Sequence, residues 1–354
     1  VEATPMTVYD LAIVGGGMFG CLAGDEAARR HPDWNMLLLD RSGPAAGATG
    51  WSLAADIPFA LTPAHRDLIE ECERQWRRLA GEPAASLARG IRIVYVTGQD
   101  RLPALQAQLG ERKLREASPA EMDTVRRMLP DVRIGAHELV VTHDEPGSVL
   151  PSREFVRELL RAGPMKASTR LATPHHVTAV RGGEPWYELA CESGDLWRAR
   201  RVILATGPWR LPHLPATPAP FTRSVVKRVA ALRVALPVRA GDPIVFFPED
   251  DLYVLPSTDG TAMVSFNRRC WGQDPDLLDG SLEEADRRSG VAVLAARCTA
   301  AAGRVVGGQA FCDRYTDDRL PYVWRAPRLA AMLAGSGSGV RLAPGMAARA
   351  VSAL

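Results

Sequence analysis

The stretch "DLAIVGGGMFG", Asp10 to Gly20, constrains this chain more than any other. Tyr9 to Val14 is an apolar run without alternation, the pattern of a strand buried on both faces. It breaks into glycines. Met18 to Arg30 then reads as a helix, with small residues at Ala23, Gly24 and Ala27 where it can pack closely on a sheet. Asn35 to Leu39 is a second buried strand and ends at Asp40. Strand, glycine turn, helix, strand and acidic residue fit within about 30 residues, the size of a βαβ unit.

Gly15, Gly17 and Gly20 stand at GxGxxG spacing. The first allows a tight turn, the second lets a pyrophosphate approach the backbone, and the third lets helix and strand close together. The phosphate belongs at the helix N-terminus, where free N–H groups and the macrodipole attract negative charge. A carboxylate at Asp40 can accept both ribose hydroxyls of an adenosine and repels a 2′-phosphate. Dinucleotide binding other than NADP is therefore expected, with FAD and NAD both open at this point.

The 354 residues suffice for two domains sharing an interface. A net charge of +2, without a basic block, argues against nucleic acid as a partner. Six scattered cysteines without a CxxC pair suit a reducing cytoplasm. No apolar run approaches the roughly 20 residues of a membrane span, so no membrane association is expected. Leu11 to Gly24 could pass for a signal-peptide core, but a basic leader is missing and its glycines fall at dinucleotide spacing.

Further along, helices are expected at Ala64–Leu79, Leu102–Arg115 and Pro119–Leu129, and strands at Ile91–Val96 and His137–Thr142. "DEPGSVLPSREF" opens an amphipathic helix through Leu160. Strands follow at His176–Val180, Trp186–Cys191 and Arg201–Ala205. A succession of strands between Val225 and Phe266 suggests an antiparallel or mixed sheet. A glycine-serine loop leads into a last helix, expected to begin near Pro344.

In this order the pieces resemble the family of D-amino-acid oxidase, glycine oxidase and monomeric sarcosine oxidase. "YDLAIVGGGMFG" and "LLLD" are similar to its FAD-binding start, and "GATGWSLAAD" to the segment wrapping the pyrophosphate. "EPGSVLPSREFV" resembles the return into the FAD domain, and "VILATGPW" the turn beside the cofactor. "LYVLPSTDG" resembles the substrate sheet, and "TDDRLPYV" with "GSGSGVRLAPGMAARAV" the closing flavin segment. The resemblance spans essentially the whole chain.

It implies an α/β fold: a Rossmann-like FAD-binding domain, a parallel sheet with helices, plus an antiparallel or mixed-sheet substrate domain. The FAD domain would comprise 6–84, 146–215 and 305–354, and the substrate domain 85–145 and 216–304. Cofactor contacts would fall on Gly15, Gly17, Met18, Phe19, Gly20, Asp40, Arg41, Thr49, Ser52, Val177, Ala205, Thr206, Gly207, Trp209, Gly337, Gly339 and Val340. The loop Gly335–Gly339 exposes backbone N–H groups that can stabilise negative charge on a reduced flavin, a tuning that favours hydride acceptance.

The implied reaction moves a hydride from the carbon next to nitrogen of an amino acid or N-substituted amino acid to flavin N5. The imine is then hydrolysed, and O2 is the expected electron acceptor. Alternatives on the same fold are a 2-hydroxy-acid or polyol-phosphate dehydrogenase and a non-catalytic flavin subunit of a larger oxidoreductase. The sequence departs from the family in three places. Where related members carry a carboxylate-binding arginine, this chain has Asp313 with Arg314 beside it; Arg314 serves only if a bulge restores its facing side. Tyr253, Arg268 and Arg269 are further candidates to line the site. "CDRYT" has one residue more than the Cys-x-Tyr-Thr whose cysteine bonds the flavin, which leaves attachment through Cys312 open. The expected oxygen-side lysine is replaced near Val264, with Arg268 and Arg269 the nearest cations.

Overall fold

The structure is a computed structural model that describes residues 7–214 and 219–354. The expected domain start at Met6 and the expected boundary at 215–216 lie outside the described residues. Two sheets dominate. The first has six strands in the order Thr169–Ala172, Met36–Leu39, Leu11–Val14, Val202–Leu204, Leu329–Leu333, Tyr322–Ala326. Neighbours run parallel except for the last pair.

Both faces of this sheet are covered, which is why its strands read as unbroken apolar runs. Leu11, Ile13, Met36 and Leu38 point into a core with helices Met18–Arg30, Pro63–Leu79, Ser152–Ala162 and Gly339–Val351. Ala12, Val14, Leu37 and Leu39 point the other way, against a smaller sheet that includes Tyr187–Cys191 and Val177–Gly182. The expected strand Tyr9–Val14 divides at Asp10. Val8–Tyr9 joins the smaller sheet and Leu11–Val14 the parallel one, because the Asp10 carboxylate and N–H bind the backbone of Asn35 instead of continuing either ladder.

The second large sheet has eight strands: Val305–Tyr315, Val225–Ala235, Thr261–Ser265, Leu252–Pro256, Ile244–Phe247, Ile93–Gly98, Glu138–Thr142 and Arg115–Glu116. All pairs are antiparallel but one, Ile244–Phe247 beside Ile93–Gly98. One face packs on helix Glu284–Arg297 through Leu232, Val254, Val264 and Leu294. The other carries Ile93, Tyr95, Phe246 and Leu255 and receives the segment containing Leu53, Ile57 and Phe59. That second face looks toward the parallel-sheet lobe and bounds the site.

Two further expectations need correction. The helix from Leu102 ends at Leu109, because Gly110 turns left-handed (φ 71°) and caps it, leaving Arg115 in an edge strand. The last helix starts at Gly339, with Pro344 inside it: the missing N–H costs one hydrogen bond, while Leu342 and Ala343 gain full burial. Val305–Tyr315, expected with the FAD-binding stretches, pairs along its length with Val225–Ala235. We accordingly propose that the third FAD-binding stretch begins after Tyr315.

Candidate cofactor and active site

Gly15 ends its strand with φ +112°, a backbone state that L side chains resist, and a Cβ there would overlap the carbonyl oxygen of Ala205. A Cβ on Gly20 would overlap the carbonyl oxygen of Gly15. Strand, turn and helix are thus in backbone contact, and the helix starts at Gly17 with no side-chain cap on that residue and no acidic residue in its first turn. An anion fits this end, with Met18, Phe19 and Gly20 forming the first turn. Thr49 reaches across, its hydroxyl accepting the Met18 N–H at 2.9 Å.

Asp40 braces the turn. One carboxylate oxygen accepts the Gly16 N–H at 2.7 Å, and the other accepts those of Ser42 and Gly43 at 2.9 and 2.6 Å. The oxygen bound to Gly16 keeps a lone pair that a ribose hydroxyl could use. Val177, buried at the start of its strand, follows the segment whose His175 N–H binds the Asp40 carbonyl at 2.8 Å. On the opposite side Ala205 binds the Val14 carbonyl, and Thr206 and Gly207 (φ 63°) turn the chain to Trp209. The Trp209 ring closes over Gly47. Its Nε1–H donates to Asp276 at 2.9 Å, and Arg41 both pairs with Asp276 at 2.5 Å and stacks 5.1 Å from the ring. Arg41 and Trp209 therefore link the glycine-loop rim to the other lobe.

The C-terminal loop completes the cradle. Ser52 caps its own short turn, its hydroxyl accepting the Ala54 N–H at 3.1 Å. Gly337 donates to the Asp313 carboxylate at 2.8 Å, and Ser336 donates to the Arg314 carbonyl at 3.0 Å. Gly339 and Val340 then start the last helix. Arg341, which sequence reasoning passed over, is buried in that first turn; it binds the carbonyls of Ile57 and Phe59 and lies 3.7 Å from Asp56.

The strand Val305–Tyr315 sorts the candidate side chains by face. Its register against Val225–Ala235 runs unbroken from Tyr315 to Gly307, so no bulge restores Arg314. Cys312 and Arg314 share the far face with their partners Arg228 and Val226, whereas Asp313 and Tyr315 share the near face with Lys227. The Arg314 guanidinium is buried over Phe221 at 4.2 Å and donates to the Pro208 carbonyl at 2.7 Å and the Ser224 hydroxyl at 3.2 Å. Burial pushes it down to about 10. It holds the turn at Trp209 rather than facing the cradle.

Arg268 is also committed elsewhere. It donates to Asp286 at 2.9 Å on the helix side, beside Arg228. Arg269 is exposed, and Val264 is buried on that same helix side. Cys312 is a buried free thiol on the far face, raised to about 11 by burial, and is not presented to the Gly335–Gly339 loop.

Tyr253 does stand on the near face, opposite Ser265, with burial raising its phenol to about 12. Lys227 joins it there and was missed. It is 7 % exposed and lies between the rings of Trp271 and Tyr315, at 5.2 and 5.1 Å. The alternation of "VVKRVAALRVA" could have revealed it: Lys227 falls on the face opposite Ala230, Leu232 and Val234.

A family model described as "DAO: FAD dependent oxidoreductase" matches residues 10–353. A search of the sequences of curated proteins found no match. Among solved structures, the chain is similar to glycine oxidase from Geobacillus kaustophilus, at 17% identity over 97% of this chain and 94% of that one, with a TM-score of 0.76. NikD, an unusual amino acid oxidase essential for nikkomycin biosynthesis, gives 18% identity, the same two coverages and a TM-score of 0.76. L-proline dehydrogenase from P. horikoshii gives 14% identity over 99% of this chain and 93% of that one, again at 0.76. At these identities the likeness is one of fold.

Proposed function

The chain belongs to the DAO family of FAD-dependent oxidoreductases, and on that premise we propose that it oxidises an amino acid or N-substituted amino acid at the carbon bearing nitrogen, with O2 as acceptor. The observation that carries this reading is the near face of the eight-stranded sheet. Tyr253, Lys227, Asp313 and Tyr315 share it, and Asp313 ties it directly to the Gly335–Gly339 loop. Bound FAD supplies the two-electron acceptor.

In this reading Gly15, Gly17 and Gly20 admit the pyrophosphate, Asp40 accepts from the ribose, and Thr49, Ser52, Gly207, Gly337, Gly339 and Val340 line its path. The N–H groups of Gly339 and Val340, at the start of the terminal helix, would stabilise negative charge on the ring. Tyr253, raised to about 12, stays protonated at neutral pH; it donates a hydrogen bond and does not act as a base. Arg314 and Arg268 act by positioning backbone and helix. The facing of Cys312 supports non-covalent FAD, and six free thiols support a reducing, cytoplasmic setting. No helix among the described residues is long and apolar enough to cross a membrane.

The test is anaerobic titration of the FAD-loaded protein with glycine, sarcosine, D-alanine, L-proline, lactate and glycerol 3-phosphate. Amines are expected to bleach the flavin, and readmitted air to restore it with release of peroxide; acid precipitation is expected to free the colour. Bleaching by the hydroxy compounds alone would overturn the proposal.

A further inference from the structure

Five positive side chains come into question for a substrate anion, and the folded chain disposes of them unequally. Arg314 faces away and binds main-chain carbonyls. Arg268 is held by Asp286. Arg269 is exposed. Arg341 is spent on two carbonyls and Asp56. Lys227 is different. It lies on the near face of the sheet; among the described residues no carboxylate is within ion-pairing distance of it, and its single side-chain hydrogen bond goes to the Asn267 amide oxygen at 3.0 Å. Two of its three N–H donors are therefore uncommitted.

The rings around Lys227 offset part of the cost of burying a charge, since an ammonium over an aromatic face is attracted by the ring quadrupole. Desolvation alone would drive it toward neutrality, and burial does hold it below the ordinary lysine range. One wall of this cage, Trp271, is 46 % exposed, so that side of the cage borders solvent. The other wall, Tyr315, touches the terminal loop at Gly337.

Directly across the ladder from Lys227 stands Asp313. Its two carboxylate oxygens each accept one backbone N–H, from Gly337 at 2.8 Å and from Arg314 at 2.8 Å, and each retains acceptor capacity. Burial raises its pKa, so an added cationic partner would stabilise its charged form. The order of charges along this face is thus fixed: terminal loop, carboxylate, ammonium.

We propose that Lys227 and Asp313 form a two-point clamp for a zwitterionic substrate, the carboxylate on Lys227 and the cationic nitrogen on Asp313. This deepens the functional reading above and rests on it. The orientation follows from the fold: the carbon to be oxidised is the one bearing nitrogen, and Asp313 is the member of the pair bonded to the terminal loop. Lys227 sits one strand further from the terminal loop, where the substrate's carboxylate would lie. An arginine at position 313 would demand the reverse order.

The test uses FAD-loaded protein and perturbation of the flavin visible spectrum, with benzoate as an anion, benzamide as its neutral isostere and glycine betaine as a zwitterion. Wild type is expected to bind benzoate at least about tenfold tighter than benzamide. Lys227→Met removes that preference and weakens betaine, while Lys227→Arg keeps part of both. Asp313→Asn weakens betaine about tenfold and leaves benzoate as tight or tighter, because a like charge has gone.

A wild type without preference for benzoate over benzamide overturns the proposal without any variant being needed. So does a Lys227→Met protein that binds benzoate as wild type does. An Asp313→Asn protein that loses benzoate as much as betaine assigns Asp313 to loop placement and overturns its half of the clamp. Lys227-dependent benzoate binding in a protein that no amine bleaches would sustain the clamp and defeat the functional reading. Amine bleaching with benzoate binding indifferent to Lys227 would do the opposite.

Discussion

Gly20 is a residue at which the glycine turn is easily broken. Its missing side chain lets helix Met18–Arg30 rest on the turn at Gly15, and a methyl group there would overlap the Gly15 carbonyl oxygen. The obstacle is backbone, so no rotamer change relieves it, and overpacking of this kind costs about 1–3 kcal/mol. Gly20→Ala is expected to weaken FAD retention by one to two orders of magnitude, on the order of what that cost implies. Flavin absorbance per polypeptide after dialysis measures it, and full retention would show that the turn yields elsewhere. Asp40 makes a second point at this scale. Its position at the strand end is visible in sequence, yet its carboxylate also ties three backbone N–H groups, a duty that spacing alone does not disclose.

At the scale of elements, helix Glu284–Arg297 is attached to the large sheet by a buried carboxylate. Asp286, fully buried, closes a capping box with Glu283 at the helix start. It also accepts from Arg228 at 2.7 Å and from Arg268 at 2.9 Å, each on a different strand or its extension. Removing one partner of such a cluster leaves a charge without compensation, which costs about 3–5 kcal/mol. Asp286→Ala is expected to lower the urea midpoint accordingly, and a loss below about 1 kcal/mol would mean that water reaches Arg228. The same cluster commits Arg268 to the helix side of the sheet. Among the elements not anticipated from sequence, this helix had a legible signal in "EEAD", an acidic cap followed three residues later by another acid.

At the scale of the whole molecule, the segment ending at Phe59, the helix Pro63–Leu79 and the terminal helix meet at His65. The imidazole Nδ1 accepts the Leu61 N–H at 3.2 Å, and Arg341 approaches Nε2 at 3.4 Å. Burial, and then the Arg341 charge, lower His65 to about 4; Asp56, buried beside Arg341, is pushed up by burial. Because the folded pKa of His65 lies below its unfolded value of about 6.5, the folded state favours the neutral ring. The associated stability is complete above pH 6.5 and drains away as pH falls toward 4, on the order of 3 kcal/mol. His65→Gln, which can still accept from Leu61, is expected to flatten that part of the pH–stability curve. Equal slopes for the two proteins in urea titrations between pH 7 and 4.5 would disprove the linkage.

Local chemistry in the chain was enough to announce the glycine turn, the acidic strand end, the flanking buried strands and the order of segments that matches the DAO family, because these depend on backbone geometry and on periods of a few residues. Pairing between strands distant along the chain was not legible. Which sheet takes Val305–Tyr315, and hence which face Asp313, Arg314 and Cys312 present, is decided by its register against Val225–Ala235. A strand turns successive side chains to opposite sides, so a one-residue difference in register exchanges the carboxylate for the guanidinium at the cofactor cradle. That choice is made only when the two strands meet.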